Sequence, residues 1–201
     1  MPVFEKVSTF PCAAAELFAW HERPGAFMRL SPPWQDIRVI DKKGGIRNDD
    51  TLTLRVKTGP VSFHWQLRHE DYLEGRRFCD VQQQGPFAHW RHEHLFEDSG
   101  GEALLRDRIE YSLPAGLSWL AGEKIRKDIE RAFLFRHERL RRDLLRHQKH
   151  ITDRPFKIAV TGSSGLIGKA LRAFLSTAGH EIICLVRSQK KLDGKTVYWK
   201  P

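Results

Sequence analysis

Two stretches of this sequence carry residues whose types and spacing suit chemistry. The first is Val160-Thr161-Gly162-Ser163-Ser164-Gly165-Leu166-Ile167-Gly168. It follows the β-prone run Phe156-Lys157-Ile158-Ala159-Val160 and opens an apolar helical pattern, so it reads as strand, glycine turn and helix. Glycines in such a turn let backbone N–H groups approach a pyrophosphate, whose charge the helix N-terminus favours. Cofactor contacts are therefore expected at Gly162, Ser163, Ser164, Gly165, Leu166, Ile167 and Gly168. The helix should bury Leu166, Ile167, Ala170, Leu171, Phe174 and Leu175 and stop at Gly179. Residues 181–186 then read as a buried strand ending at Arg187. An arginine there suits the 2′-phosphate of NADP, where NAD sites carry an acidic residue. NADP is thus expected over NAD, with Arg187 as the discriminating contact.

The second stretch is the pair of runs His89–Phe96 and Ala103–Leu113. Alternate residues of a strand share a face, so Trp90, His92, His94 and Phe96 lie together, as do Leu105, Asp107, Ile109 and Tyr111. Both faces are expected to point inward. A ligand pocket is expected at Trp90, His92, His94, Asp107 and Tyr111, extended by Asp80 and Gln82, which share a face with Phe78. The polar members could form an acid–base His–Asp pair or a hydrogen-bonded core, and no catalytic role is assigned to any of them. His92 and His94 could also ligate a metal with Asp107. No further ligand follows at close spacing, so no metal is expected.

These residues need elements to hold them. Phe4–Phe10 alternates as a strand. Residues 13–29 read as one or two short helices interrupted at Pro24-Gly25. Six strand-like runs follow, at 37–40, 51–58, 61–70, 77–84, 89–96 and 103–113, separated by turns such as Gly59-Pro60 and Gly85-Pro86. A helix from about Gly122 to Lys149 closes the series, with Ile125, Ile129, Phe133, Leu140 and Leu144 on one stripe. That order is the α+β helix-grip architecture, a curved antiparallel sheet around a long C-terminal helix. Residues 1–150 are read as this domain. Residues 151–201 are read as the N-terminal part of an α/β Rossmann domain, a β-α-β segment left incomplete at Pro201.

Two resemblances follow from quoted residues. The spacing of Gly162, Gly165 and Gly168 after Thr161 resembles the signature of the extended short-chain dehydrogenase/reductase and epimerase family. The segments Trp20-His21-Glu22-Arg23-Pro24-Gly25, Leu30-Ser31-Pro32-Pro33-Trp34, Gly85-Pro86-Phe87-Ala88-His89-Trp90-Arg91-His92 and Phe135-Arg136-His137 resemble the START-like (SRPBCC) domain fused ahead of an epimerase-like Rossmann domain, some members of which carry a cell-division-inhibitor label. The resemblance implies binding of a small apolar or amphipathic ligand, coupled to an NAD(P)-binding domain. The alternative is an NADP-dependent oxidoreductase or epimerase whose catalytic part lies beyond residue 201. The resembled dehydrogenases use a Tyr-x-x-x-Lys pair. None exists here, because Arg76 follows Tyr72 at that spacing and Ala115 follows Tyr111. Catalysis by this chain is therefore not expected.

Composition bounds the rest. The chain has 201 residues, 40% hydrophobic, with a formal charge of +9. Much of that charge comes from Arg136, Arg139, Arg141, Arg142, Arg146 and Lys149, read as one solvated helix face, so no nucleic-acid partner is expected. Three scattered cysteines and the lack of a signal-like N-terminus lead to an expected cytoplasmic location. No apolar run is long enough to span a membrane. The open edge of the incomplete Rossmann sheet would offer a route to self-association.

Overall fold

The computed structural model describes residues 1–150, 154–187 and 195–200, with backbone alone at 117–120. The chain opens with β1 (Val3–Phe10), α1 (Ala14–Glu22) and α2 (Ala26–Leu30). Strands β2 (Asp36–Lys43), β3 (Thr51–Thr58), β4 (Val61–Leu73), β5 (Arg77–Gln84), β6 (His89–Ser99) and β7 (Glu102–Ser112) follow, and then α3 (Leu117–Lys149). The seven strands form one sheet in the order β1-β7-β6-β5-β4-β3-β2, every neighbouring pair antiparallel. Hairpin turns make β2 to β7 a meander, and β1 closes onto the last strand. This is the helix-grip order.

Period-two burial is strictest in the two strands that carry the chemistry. In β6, Trp90, His92, His94 and Phe96 are buried, and in β7 Ala103, Leu105, Asp107, Ile109 and Tyr111 are. Their face meets α3 through Ile129, Phe133, Leu140 and Leu144, while Ile125 is half-buried. The helix starts one and a half turns before the expected Gly122. The chain turns at Gly116 instead, whose φ of +84° suits glycine, and Gly122 is carried inside the helix. At 33 residues α3 is about 50 Å long. Its arginines do not make one solvated face. Arg141 lies over the Phe10 ring and donates to the Thr9 carbonyl, and Arg136 lies over Phe133.

The core divides in two. One cluster, under α1, holds Phe10, Leu17, Phe18, Trp20, Phe78, Phe96, Leu105, Leu140 and Leu144. The other, toward the N-terminal half of α3, holds Leu52, Leu54, Leu67, Trp90, Ile109, Tyr111, Ile129 and Phe133.

Beyond α3 lie β8 (Lys157–Val160), α4 (Leu166–Thr177), β9 (Glu181–Val186) and β10 (Thr196–Tyr198). The strands are parallel, in the order β10-β9-β8. Gly179, at φ +94°, follows α4 as expected. The expected apolar face of α4 is not buried among the described residues. Leu166 and Ile167 are 90% and 82% exposed and Leu171 is exposed, whereas Gly168, Ala173 and Thr177 are buried. Of β9 only Cys184 is buried. Three short strands are too narrow to cover a large side-chain face, and α4 turns its small residues to its neighbours instead. One such contact is with Gly25, where an added Cβ would lie 2.1 Å from the Ala173 carbonyl oxygen. Arg23 also donates to the Thr177 carbonyl across this contact.

A Gly25→Ala substitution should force α2 and α4 apart, since the obstacle is backbone. The expected cost is about 1–3 kcal/mol. Amide exchange should quicken in α4 while the β6–β7 amides stay protected. Unchanged exchange in α4 would show that the contact does not hold the segment.

A candidate site: a histidine–aspartate layer under the long helix

Between the two apolar clusters lies a polar layer built by strand register. His69 on β4 stands opposite Asp80 on β5, Asp80 opposite His92 on β6, and His94 opposite Asp107 on β7. Directly opposed residues hold their Cβ atoms about 5 Å apart, so three registers bring five polar side chains together. His137 reaches in from α3, and His21 from α1 packs its ring 6.0 Å from that of His94. His21, His69, His92, His94, Asp107 and His137 are all buried.

Asp107 is the hub. One of its oxygens, Oδ2, accepts from His137 Nε2 at 2.7 Å, while Oδ1 accepts from His92 Nε2 at 3.0 Å. His94 Nδ1 is 2.6 Å from Oδ1. Asp80 faces His69 Nδ1 at 2.6 Å through Oδ1, and His94 Nε2 and His92 Nδ1 at 3.5 and 3.6 Å through Oδ2. The two 2.6 Å approaches by His69 and His94 are off the line of a hydrogen bond, so His69 Nδ1, His94 Nδ1 and Asp80 Oδ1 remain without one. Asp80, His92 and His94 each present an atom able to ligate a metal, all within 4.8 Å of one another.

The charges follow from burial and pairing. Burial alone would raise both carboxyls, but the charge of His94 and the imidazoles of His137 and His92 hold Asp107 well below the usual carboxylate range. The imidazoles of His69, His92 and His94 do the same for Asp80. Burial would lower His94, yet Asp107 and Asp80 raise it to about 9. His21 has no carboxylate contact, and burial, reinforced by His94, pushes it down to about 4. Desolvation also lowers the Arg136 guanidinium, against the pull of Asp107 and Asp80.

The residues expected to line a pocket fall into separate groups. His92, His94, Asp107 and Asp80 meet in the polar layer. Trp90 and Tyr111 stand beside it, in an aromatic group with Trp65 and Phe87. Gln82 holds the Gly85-Pro86-Phe87 turn, donating from Nε2 to the Phe87 carbonyl at 2.7 Å. His69, His137 and His21 were not among the expected residues. His69 continues the alternation from buried Leu67, and His137 continues the α3 stripe one turn past Phe133, so both carried a signal. The third group able to ligate a metal is Asp80. A search for close spacing along the chain passes over it because it neighbours His92 only across strands.

The glycine motif forms a tight turn. Gly162 has φ +61°, Gly165 N–H donates to the Gly162 carbonyl at 3.0 Å, and a Cβ on Gly168 would lie 2.1 Å from that same oxygen. Ser163 is buried, and Arg187 is exposed just past β9. Because β8 and β9 are parallel, the turn and Arg187 emerge from the same sheet edge. A cleft of about 480 Å³ lies nearby, lined by Arg29, Arg139, Arg146, Leu166, Ile167 and Phe174 among others. It is on the opposite side of α3 from the polar layer.

A seven-stranded grip with its polar layer under a long helix defines a START-like protein. Residues 11–134 match the family described as polyketide cyclase / dehydrase and lipid transport, and the chain belongs to that family. Among solved structures, a nucleoside-diphosphate sugar epimerase from Corynebacterium glutamicum is 32% identical with a TM-score of 0.76, covering 98% of this chain and 41% of that one. The chain therefore spans less than half the length of that relative. A Thermus thermophilus protein is 13% identical with a TM-score of 0.58, over 72% of this chain and 98% of that one. Norcoclaurine synthase from Thalictrum flavum, in complex with dopamine and hydroxybenzaldehyde, is 11% identical with a TM-score of 0.57, over 73% of this chain and 87% of that one. These last two show the fold alone. A search of curated proteins found no match. No helix among the described residues is long and apolar enough to cross a membrane.

His21 gives the site a pH signature. Its folded-state pKa of about 4 lies below the 6.5 of the free side chain, so the unfolded chain takes up the proton first. The stability it contributes is present above 6.5 and lost as pH falls toward 4, amounting to about 3 kcal/mol. Asp80 and Asp107 titrate lower and His94 stays protonated across this window. Urea denaturation of a His21→Leu variant should lose most of the acid slope. An unaltered slope would assign it elsewhere.

Proposed function

We propose that this chain binds a small apolar or amphipathic molecule between the sheet and α3, and delivers it to an NADP-linked domain whose first β-α-β unit is β8-α4-β9. The observation that carries the reading is a buried donor with nothing to bond. Trp65 Nε1 is buried without a partner, within an aromatic wall of Trp65, Phe87, Trp90 and Tyr111 facing half-buried Ile125. A desolvated N–H left unpaired costs about 1–3 kcal/mol. A ligand acceptor reaching the indole would recover that cost, and the rings would bury its apolar body. Phe87, on the turn held by Gln82, is the side chain a ligand would displace.

A second reading has its own support. The tight Gly162–Gly168 turn and the 32% identity to a nucleoside-diphosphate sugar epimerase favour an NADP-dependent epimerase or oxidoreductase as the activity of a longer protein containing this segment. In that protein the pyrophosphate would rest on the N–H groups from Ser163 to Gly168, and Arg187 would meet the 2′-phosphate.

The binding reading is tested with anilinonaphthalenesulfonate as an apolar anionic probe. One probe molecule should bind per chain and quench tryptophan emission. Trp65→Ala should weaken binding about tenfold, and Val39→Ala, on exposed β2, should leave it unchanged. Non-saturable binding, or indifference to Trp65→Ala, would overturn the reading. For the cofactor, a longer protein should prefer NADP by about tenfold or more, and Arg187→Ala should erase that preference. Equal binding of NAD and NADP before substitution would refute the role of Arg187.

A further inference from the structure

We infer that Asp80, His92 and His94 form a site for a divalent transition-metal ion of the zinc class, with Asp107 orienting the His92 imidazole from behind. The site does not depend on the apolar ligand. His92 Nδ1 and His94 Nε2 lie 3.6 and 3.5 Å from Asp80 Oδ2. Those distances are too long for good hydrogen bonds. They match the separation between ligand atoms around a tetrahedral ion, which is roughly 3.4 Å for bonds of about 2.1 Å. Three atoms able to ligate thus lie within 4.8 Å of one another, with the two separations from Asp80 Oδ2 near the tetrahedral value.

The far sides of the rings give the second line of argument. A metal-bound imidazole characteristically turns its other nitrogen to a carboxylate, which fixes the tautomer and aims the ligating lone pair. Asp107 Oδ1 stands at both far nitrogens here: it bonds His92 Nε2 at 3.0 Å and lies 2.6 Å from His94 Nδ1, off the line of a hydrogen bond. Asp107 is itself held by His137. Asp80 Oδ1, turned away from the ligating cluster toward His69, has no hydrogen bond of its own. One carboxylate inside the triangle and one behind it is more structure than a buried ion pair needs.

The donor set selects the ion. Two imidazoles and one carboxylate suit zinc and its neighbours, whereas calcium and magnesium prefer oxygen ligands alone. Three protein ligands leave a coordination position open, the condition of catalytic rather than structural zinc. An ion there would polarise a carbonyl or hydroxyl oxygen brought to it and would take the place of the proton on His94.

The full chain, stripped with a chelator, should bind one zinc ion in a calorimetric titration. Imidazole ¹⁵N spectra of the unsubstituted chain should show coordination shifts at His92 Nδ1 and His94 Nε2, and none at His69 or His137. Asp80→Asn should weaken binding about a hundredfold, and Asp107→Asn about ten- to a hundredfold through loss of orientation. His64→Gln, at an exposed position, should change nothing. The proposal is overturned if zinc fails to saturate, if Asp80→Asn binds normally, or if the shifted resonances belong to exposed histidines such as His64 and His150. The ¹⁵N spectra decide the matter even if a variant does not fold.

Discussion

The structure turns on one buried carboxylate. Asp107 sits on β7 beneath the long helix, almost fully withdrawn from water, and it stays charged because three imidazoles surround it. A lone carboxylate at such depth would be too costly to keep. Its partners come from β6 and α3, so the pairing ties the sheet to the helix that closes it. The two apolar clusters on either side take their boundaries from this layer.

The layer also explains the division of labour across the concave face. Side chains toward the α1 end pack as an ordinary core, with Phe18, Phe78 and Phe96 edge to face or stacked. Side chains toward the N-terminal half of α3 are aromatic, partly buried and less completely paired. A binding surface needs this mixture, rigid on one side of a polar floor and adaptable on the other. The polar layer divides these two kinds of packing within a domain of the matched family.

Much of this was legible in the sequence where a single strand carried the signal. The alternation in His89–Phe96 and Ala103–Leu113 gave the correct inward faces, because burial on one side of an antiparallel sheet imposes a period of two. The strand order and closing helix were readable for the same reason. What stayed hidden was adjacency between strands. Nothing along the chain says that Asp80 stands opposite His92, since that depends on the β5–β6 register, which is set across strands and not by spacing along either one. The helix start was misplaced because Gly122 looks like a boundary, while the preceding turn at Gly116 supplies the actual one. The face of α4 was misjudged for a different reason. Its pattern describes a helix packed on a broad sheet, and three short strands leave Leu166 and Ile167 in water.

The polar layer has a consequence for how the sheet finds its pairing. Slipping β6 against β7 by two residues would return every apolar side chain to the concave face, so oil-like packing barely distinguishes the two arrangements. A slip that sets Phe96 opposite Asp107 would leave a buried charge unanswered, and the opposite slip would set His92 there but take away His94. The histidines and aspartates therefore act as a key cut into an otherwise smooth strand, accepting one alignment and penalising its nearest imitation.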